Sequence, residues 1–312
     1  MVVHVLLRTI EICWWKEAFM KKSGFKKCST IILSTLLISV CLLGGCKNAP
    51  EDEVDTSKDV SGTYTIEVVT EGGLALENIE VQVYTDTTLS DLVAIVQNEG
   101  DGKFSFESED SIGDIVVLNG VPLGYKVAEH YVIEEMDTKI VLEAEMLSMD
   151  DVAGTTFAVG DAFADLSVEA TDGKVYTISE LLKSKKAVVL NFWYINCGPC
   201  KAEFPFLQEA YETYKEDIEV IALNPVDGTK ETVAAFKEEL ALAFPMAACD
   251  PMWEKAMKLT AYPTTIVIDR YGTIAFMHKG SVTETETFNQ IFEYFTSDDY
   301  KQVAIRNLKD LK

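Results

Sequence analysis

The stretch Val188-Val189-Leu190-Asn191-Phe192-Trp193-Tyr194-Ile195-Asn196-Cys197-Gly198-Pro199-Cys200-Lys201-Ala202-Glu203-Phe204-Pro205 decides how the chain is read. Its apolar, β-branched opening predicts a buried strand that runs directly into a helix. Gly198 and Pro199 keep the two cysteines one turn apart at the helix start, close enough to bridge without stretching the backbone. There the free N–H groups and the helix dipole favour an anion, so the Cys197 thiolate is stabilised. Cys197 is therefore expected to attack, and Cys200 to resolve the mixed disulfide. The expectation is a redox disulfide, Cys197–Cys200.

Two other uses of a C-x-x-C pair fit less well. Half of a zinc site needs a second Cys pair or a spaced pair of histidines, and the only histidines are His4, His130 and His278. A purely structural bridge closing so small a loop stabilises little. No metal and no cofactor are expected.

The 312 residues suggest about two domains. A formal net charge of −24 argues against nucleic acid as a partner, because phosphate binding needs clustered Lys and Arg. A solvated acidic surface accounts for the charge more simply than an acidic recognition face. Four of the seven cysteines, Cys13, Cys28, Cys41 and Cys46, lie at or before position 46. The remainder of the chain has only Cys197, Cys200 and Cys249, too few for a disulfide scaffold.

The N-terminus carries a secretory signature. Lys21, Lys22, Lys26 and Lys27 precede the apolar run Ile31 to Leu43, which ends in Leu43-Gly44-Gly45-Cys46. That ending resembles a bacterial lipobox, which implies lipidation of Cys46 and cleavage after residue 45. The run falls short of the ~20 residues that a membrane span needs. Met20 begins a normal signal by itself, so residues 1–19 are read as a misassigned start. Removing residues 1–45 takes away six basic and two acidic residues and leaves 21 against 49, or −28. Residues 46–62 are polar and acidic and read as a flexible tether.

Residues 63–146 read as an antiparallel β-sandwich. Tyr64, Ile66 and Val68 alternate with polar neighbours, as do Ile79, Val81 and Val83, then Phe104 and Phe106. Turn signals stand at Gly72-Gly73, Asp101-Gly102 and Asn119-Gly120, with further strands near 115–118, 125–127, 131–133 and 140–142. The pattern resembles CnaB/prealbumin-like modules of surface proteins, which implies a spacer or a partner-binding unit.

Residues 147–156 read as a second linker, 157–296 as an α/β domain and 297–312 as a frayed tail. The α/β segment opens with a hairpin (166–178), followed by the strand ending near Trp193 and a helix from Gly198 to Tyr214 that Pro205 should kink. A strand at 218–223, a helix at 229–242, a short strand at 244–248 and a helix at 251–260 follow. Strands at 264–268 and 273–277 and a closing amphipathic helix at 283–295 complete a mixed sheet flanked by helices.

Several of these residues carry a resemblance. Asn191-Phe192-Trp193, Cys197-Gly198-Pro199-Cys200-Lys201-Ala202-Glu203-Phe204-Pro205, Tyr262-Pro263-Thr264-Thr265 and Asp269-Arg270-Tyr271-Gly272 resemble the TlpA/ResA group of membrane-tethered thiol–disulfide oxidoreductases over residues 157–296. The resemblance implies a thioredoxin-like fold with an added N-terminal hairpin and a central insertion. It implies that Pro263 is a cis-proline packed against the dithiol. It also implies a substrate groove around Trp193, Asn196, Gly198, Pro199, Tyr262 and Thr264. Two residues depart from expectation. The group commonly has Trp where this chain has Asn196. Thioredoxins proper carry a buried Asp where this chain, like many TlpA-like proteins, has Asn191.

Glu203 lies three residues after Cys200, so the two can share a helix face. With no acid at position 191, it is the nearest carboxylate in sequence able to take a proton from Cys200, and the resemblance points to the same residue. Partial burial beside thiols should raise its pKa. Cys249 is read as a buried, inert thiol.

The resulting expectation is a lipid-anchored dithiol on the extracytoplasmic face of the cell membrane. It would reduce disulfides in exported proteins and receive electrons from a membrane thiol donor. The alternatives are a disulfide-forming oxidant, a thiol peroxidase, and a surface binding lipoprotein that works through its β module. Peroxiredoxins usually need a Thr-x-x-Cys site, which Tyr194-Ile195-Asn196-Cys197 does not supply.

Overall fold

A computed structural model describes residues 61–311 apart from 304, 306 and 307. The signal segment, the alternative start at Met20, Cys46 and nearly all of the tether lie outside the described residues. Among the described residues, no helix is long and apolar enough to cross a membrane.

The first part of the described chain is a sandwich of two four-stranded sheets. Its strands are β1 (Gly62–Thr70), β2 (Glu80–Tyr84), β3 (Leu92–Val96), β4 (Asn98–Gly100), β5 (Lys103–Ser108), β6 (Ile115–Asn119), β7 (Tyr131–Val132) and β8 (Asp137–Leu142). They are ordered β4-β5-β1-β8 and β3-β2-β6-β7. The alternating residues Tyr64, Ile66, Val68, Val81, Val83 and Phe104 meet in its core. Asp101 and Gly102 both take positive φ (52° and 68°) at the turn into β5, the conformation a tight hairpin requires.

Two expectations about this module are corrected. It is not wholly antiparallel, because β8 pairs with β1 in parallel. The chain leaves β7 in one sheet and crosses to the other, arriving alongside β1 in the same direction. Nor do residues 125–127 form a strand. Tyr125 makes a single bridge to Ala144, and its hydroxyl donates to the Gly160 carbonyl.

The redox domain starts with the hairpin β9 (Ser167–Glu169) and β10 (Val175–Thr177), then α1 (Ile178–Leu181). Next come β11 (Ala187–Phe192), α2 (Gly198–Tyr214), β12 (Ile218–Asn224), α3 (Lys230–Glu239) and β13 (Met246–Ala248). They are followed by α4 (Met252–Ala256), β14 (Thr264–Asp269), β15 (Ile274–Lys279) and α5 (Thr285–Thr296). The central sheet runs β13-β12-β11-β14-β15, with β11, β12 and β13 mutually parallel, β14 antiparallel to β11, and β15 antiparallel to β14 and so running with β11.

Every residue of β11 is buried, because the sheet has a core on each face. Ala187, Val189 and Trp193 face Phe204 and Leu207 of α2 and Phe288 and Phe292 of α5. Val188, Leu190 and Phe192 face Phe163, Ile178 and Trp253. The parallel β11, β12 and β13 all end at one edge of the sheet, where α2 begins. Pro205 lies within α2, which runs 17 residues without interruption.

The expected linker and tail both turn out to be folded. Leu147 exchanges backbone hydrogen bonds with Phe163 and Asp165, and Val152 is buried in the second core. Tyr300, Gln302 and Ile305 of the tail are also buried. The reason is Asp269, which is fully buried at the end of β14 and needs donors. Its Oδ1 accepts from the Tyr271 and Thr273 N–H groups and the Thr273 hydroxyl. Its Oδ2 accepts from Tyr300 Oη at 2.8 Å and Gln302 Nε2 at 3.0 Å. Gln302 also accepts the Thr70 hydroxyl of β1, so one side chain ties the tail, the redox domain and the sandwich together.

Replacing Gln302 by Ala leaves buried Asp269 and Thr70 each short of a partner. Gln302→Ala is expected to cost on the order of 2 kcal/mol in urea unfolding at pH 7. An unchanged unfolding midpoint would show that the tail does not clasp the two parts.

Candidate active site

Cys197 is the N-cap of α2, with φ −76° and ψ 99°. Its Sγ accepts the Cys200 N–H at 3.1 Å, the position an anionic sulfur would take at a helix N-terminus. The two cysteines are joined as a disulfide, with Cα atoms 5.2 Å apart. In this oxidised form both are buried, while Asn196, Gly198 and Pro199 stand exposed around them. Ser281 Oγ donates to the Pro199 carbonyl at 3.2 Å, and Asp227 Oδ1 accepts the Ile195 N–H at 2.9 Å. These contacts brace the loop from both sides.

The Tyr262–Pro263 bond is cis. Tyr262 is half-buried, with its hydroxyl on Glu254 Oε1 at 2.7 Å and its ring edge-on to Tyr194 at 5.4 Å. Trp193 and Thr264 do not line a groove as expected, since both are fully buried. Trp193 faces inward and packs against Phe204 and Phe236. The Thr264 hydroxyl turns back to the Ala261 carbonyl.

Glu203 sits one helical turn inward from Cys200, and it is fully rather than partly buried. Its Oε1 accepts Asn191 Nδ2 at 2.7 Å, and its Oε2 accepts the Val282 N–H at 2.7 Å. Asn191 Nδ2 also donates to Thr265 Oγ1 at 3.0 Å. Asn191 Oδ1 is buried without a hydrogen-bond partner among the described residues. Burial pushes the Glu203 carboxyl up from 4.5 to about 7, against the opposing pull of the Val282 and Asn191 donors. A carboxyl titrating there can exchange a proton with a thiol near neutral pH.

Cys249 is partly buried, and burial with Asp250 and Glu254 nearby pushes its thiol up to about 12. A thiol so reluctant to ionise is a poor nucleophile. The sequence assigned no role to Asp227, Thr265, Val282 or Tyr194. Their roles come from strand register and loop contacts, and only the missing acid at Asn191 hinted at the cluster.

The chain matches the Redoxin family over residues 158–293. The thiol-disulfide oxidoreductase ResA of Oceanobacillus iheyensis is 36% identical over 133 residues, which cover 41% of this chain and 68% of that protein. The thioredoxin-like protein YneN of Bacillus subtilis is 30% identical over 129 residues, 41% of this chain and 75% of that protein. ResA of Bacillus cereus is 30% identical over 175 residues, 55% of this chain and 87% of that protein. The chain thus belongs to the ResA-like family of thioredoxin-fold thiol–disulfide oxidoreductases.

A carboxyl whose pKa rises on folding binds its proton more tightly in the folded state. The stability it contributes is complete below pH 4.5 and is lost as the pH rises through 7. Over that range the oxidised protein should lose about 3 kcal/mol relative to Glu203→Gln. Urea unfolding of both proteins at pH 4.5, 6 and 8 measures this. Parallel stability curves would mean that Glu203 titrates normally.

Proposed function

We propose that this chain reduces disulfides in exported proteins on the extracytoplasmic face of the cell membrane, held there by lipid on Cys46. The observation that carries the catalytic part is the Cys197–Cys200 pair at the start of α2, with a buried carboxyl one turn behind it. The anchoring part rests on Leu43-Gly44-Gly45-Cys46 after a basic and apolar run.

In the reaction, Cys197 thiolate attacks one sulfur of the client disulfide. A mixed disulfide forms, and the other client sulfur leaves as a thiolate. Cys200 then gives its proton to Glu203 and attacks Cys197 Sγ. The second client thiolate leaves and the Cys197–Cys200 disulfide closes. Two electrons pass from the protein to the client, and a membrane thiol donor restores the dithiol by the reverse exchange. The exposed Asn196, Gly198 and Pro199, together with half-buried Tyr262, form the surface a client would meet. Cis-Pro263 lies buried directly after Tyr262.

Direction is a matter of potential. A value near about −270 mV supports reduction, whereas one near about −120 mV would make the chain an oxidant. Cys200→Ser keeps the attacking thiol and removes the resolving one, so mixed disulfides with clients should accumulate on it. Accumulation on Cys197→Ser instead would reverse the two roles. Glu203→Gln should slow release from the mixed disulfide by about 10²-fold at neutral pH. Identical pH–rate profiles for mutant and parent would remove Glu203 from the reaction.

A further inference from the structure

β11 and β14 pair with Phe192 opposite Thr264, and the chain beyond that pair keeps Tyr194 beside Tyr262. Their rings meet edge to face, with centroids 5.4 Å apart. The Tyr194 carbonyl accepts the Cys197 N–H at 3.1 Å, so the aromatic pair borders the turn that carries the attacking sulfur. Both rings are half-buried, and Tyr262 packs against the cores on both faces of the sheet. Asn196 and Gly198, exposed in the same turn, offer a client no apolar side chain. That contact is left to the tyrosine pair, Ile195 and Pro199.

The Tyr262 ring is held by its hydroxyl, which donates to Glu254 Oε1 at 2.7 Å. Burial, and then the Glu254 carboxylate, push the phenol up, so it remains a donor at any working pH. Glu254 itself stands on a fixed support, α4. Its neighbour Trp253 is buried against Phe157 and Phe163, and the Phe157 N–H donates to the Ala256 carbonyl of the same helix. Lys279 Nζ donates to the Lys258 carbonyl and the Thr260 hydroxyl, closing the loop between α4 and β14. An unbroken set of contacts therefore runs from the second core through Glu254, Tyr262 and Tyr194 to Cys197.

We propose that Glu254 is a positioning residue that sets client specificity. It locks Tyr262 against Tyr194 as an apolar ledge beside the disulfide, and the ledge selects clients with a large apolar residue next to the cysteine under attack. This names the client class of the proposed reductase and rests on that reading. A ring already fixed in place receives such a residue without losing further freedom of its own, whereas a loose ring must be ordered on binding. Apolar area covered on the two rings favours a large apolar neighbour over a small polar one by about tenfold. Without the Glu254 carboxylate the ring keeps its area but not its orientation, and the preference falls.

The test follows the dithiol form of the full chain as it reduces two model peptide disulfides that differ only in Phe or Ser beside the cysteine. The unaltered protein should prefer the Phe peptide by about tenfold in kcat/KM, chiefly through KM. Glu254→Ala and Tyr262→Phe should each bring that ratio down to about twofold, and the double change should go no lower, because both remove the same hydrogen bond. Glu254→Gln, whose amide oxygen still accepts the hydroxyl, should restore most of the preference. A ratio near one in the unaltered protein overturns the proposal. So does an equal loss on both peptides in Glu254→Ala and Tyr262→Phe, which a general disturbance of the fold would give. A failure of the reductase reading shows separately, as disulfide reduction that survives the Cys197→Ser, Cys200→Ser double change.

Discussion

The site depends on the complete burial of β11 between two apolar cores. A strand covered on both faces, with parallel β12 on one side and antiparallel β14 on the other, has little freedom to slide or tilt. Its end therefore fixes where the chain turns into α2. Trp193 completes the anchor by packing against Phe204 of the same helix and Phe236 of α3. The cysteines are thus held between a rigid strand and a helix whose first N–H groups face Cys197.

The same burial creates the chemistry of Glu203. A carboxylate in a core is costly unless donors meet it, and here two do, Asn191 from the strand and Val282 from the loop after β15. Two donors do not replace full hydration, so the carboxyl holds its proton to about pH 7. Stability lost at position 203 is the physical counterpart of a proton acceptor poised beside a thiol.

Asp269 shows the other way of accommodating a buried acid. Five donors gather around it from the turn after β14 and from the C-terminal tail, and this cluster folds residues 300–302 onto the domain. Gln302 carries the cluster to Thr70 in the sandwich, while Asp161 accepts the Leu123 N–H and Ala162 donates to the Leu123 carbonyl. The β module and the redox domain are consequently tied by polar contacts at more than one point.

The sequence by itself determined the elements with strong local patterns. These are the apolar run of β11, the Gly-Pro turn between the cysteines, the span Gly198–Tyr214 of α2, and the alternating strands of the sandwich. It also picked out Glu203, because a three-residue spacing along a helix fixes which face is shared with Cys200. Whatever depends on partners distant in sequence was decided only by the tertiary structure. Register placed Thr265 and His278 in line with Asn191, a loop N–H 79 residues away met Glu203, and the direction of β8 followed from a crossover between sheets. Trp193 and Thr264 sit among motif residues yet face inward, because strand alternation and core packing set side-chain direction and adjacency to a motif does not. The tail looked featureless because its few polar residues matter only to Asp269, whose need for donors exists only once β14 is buried.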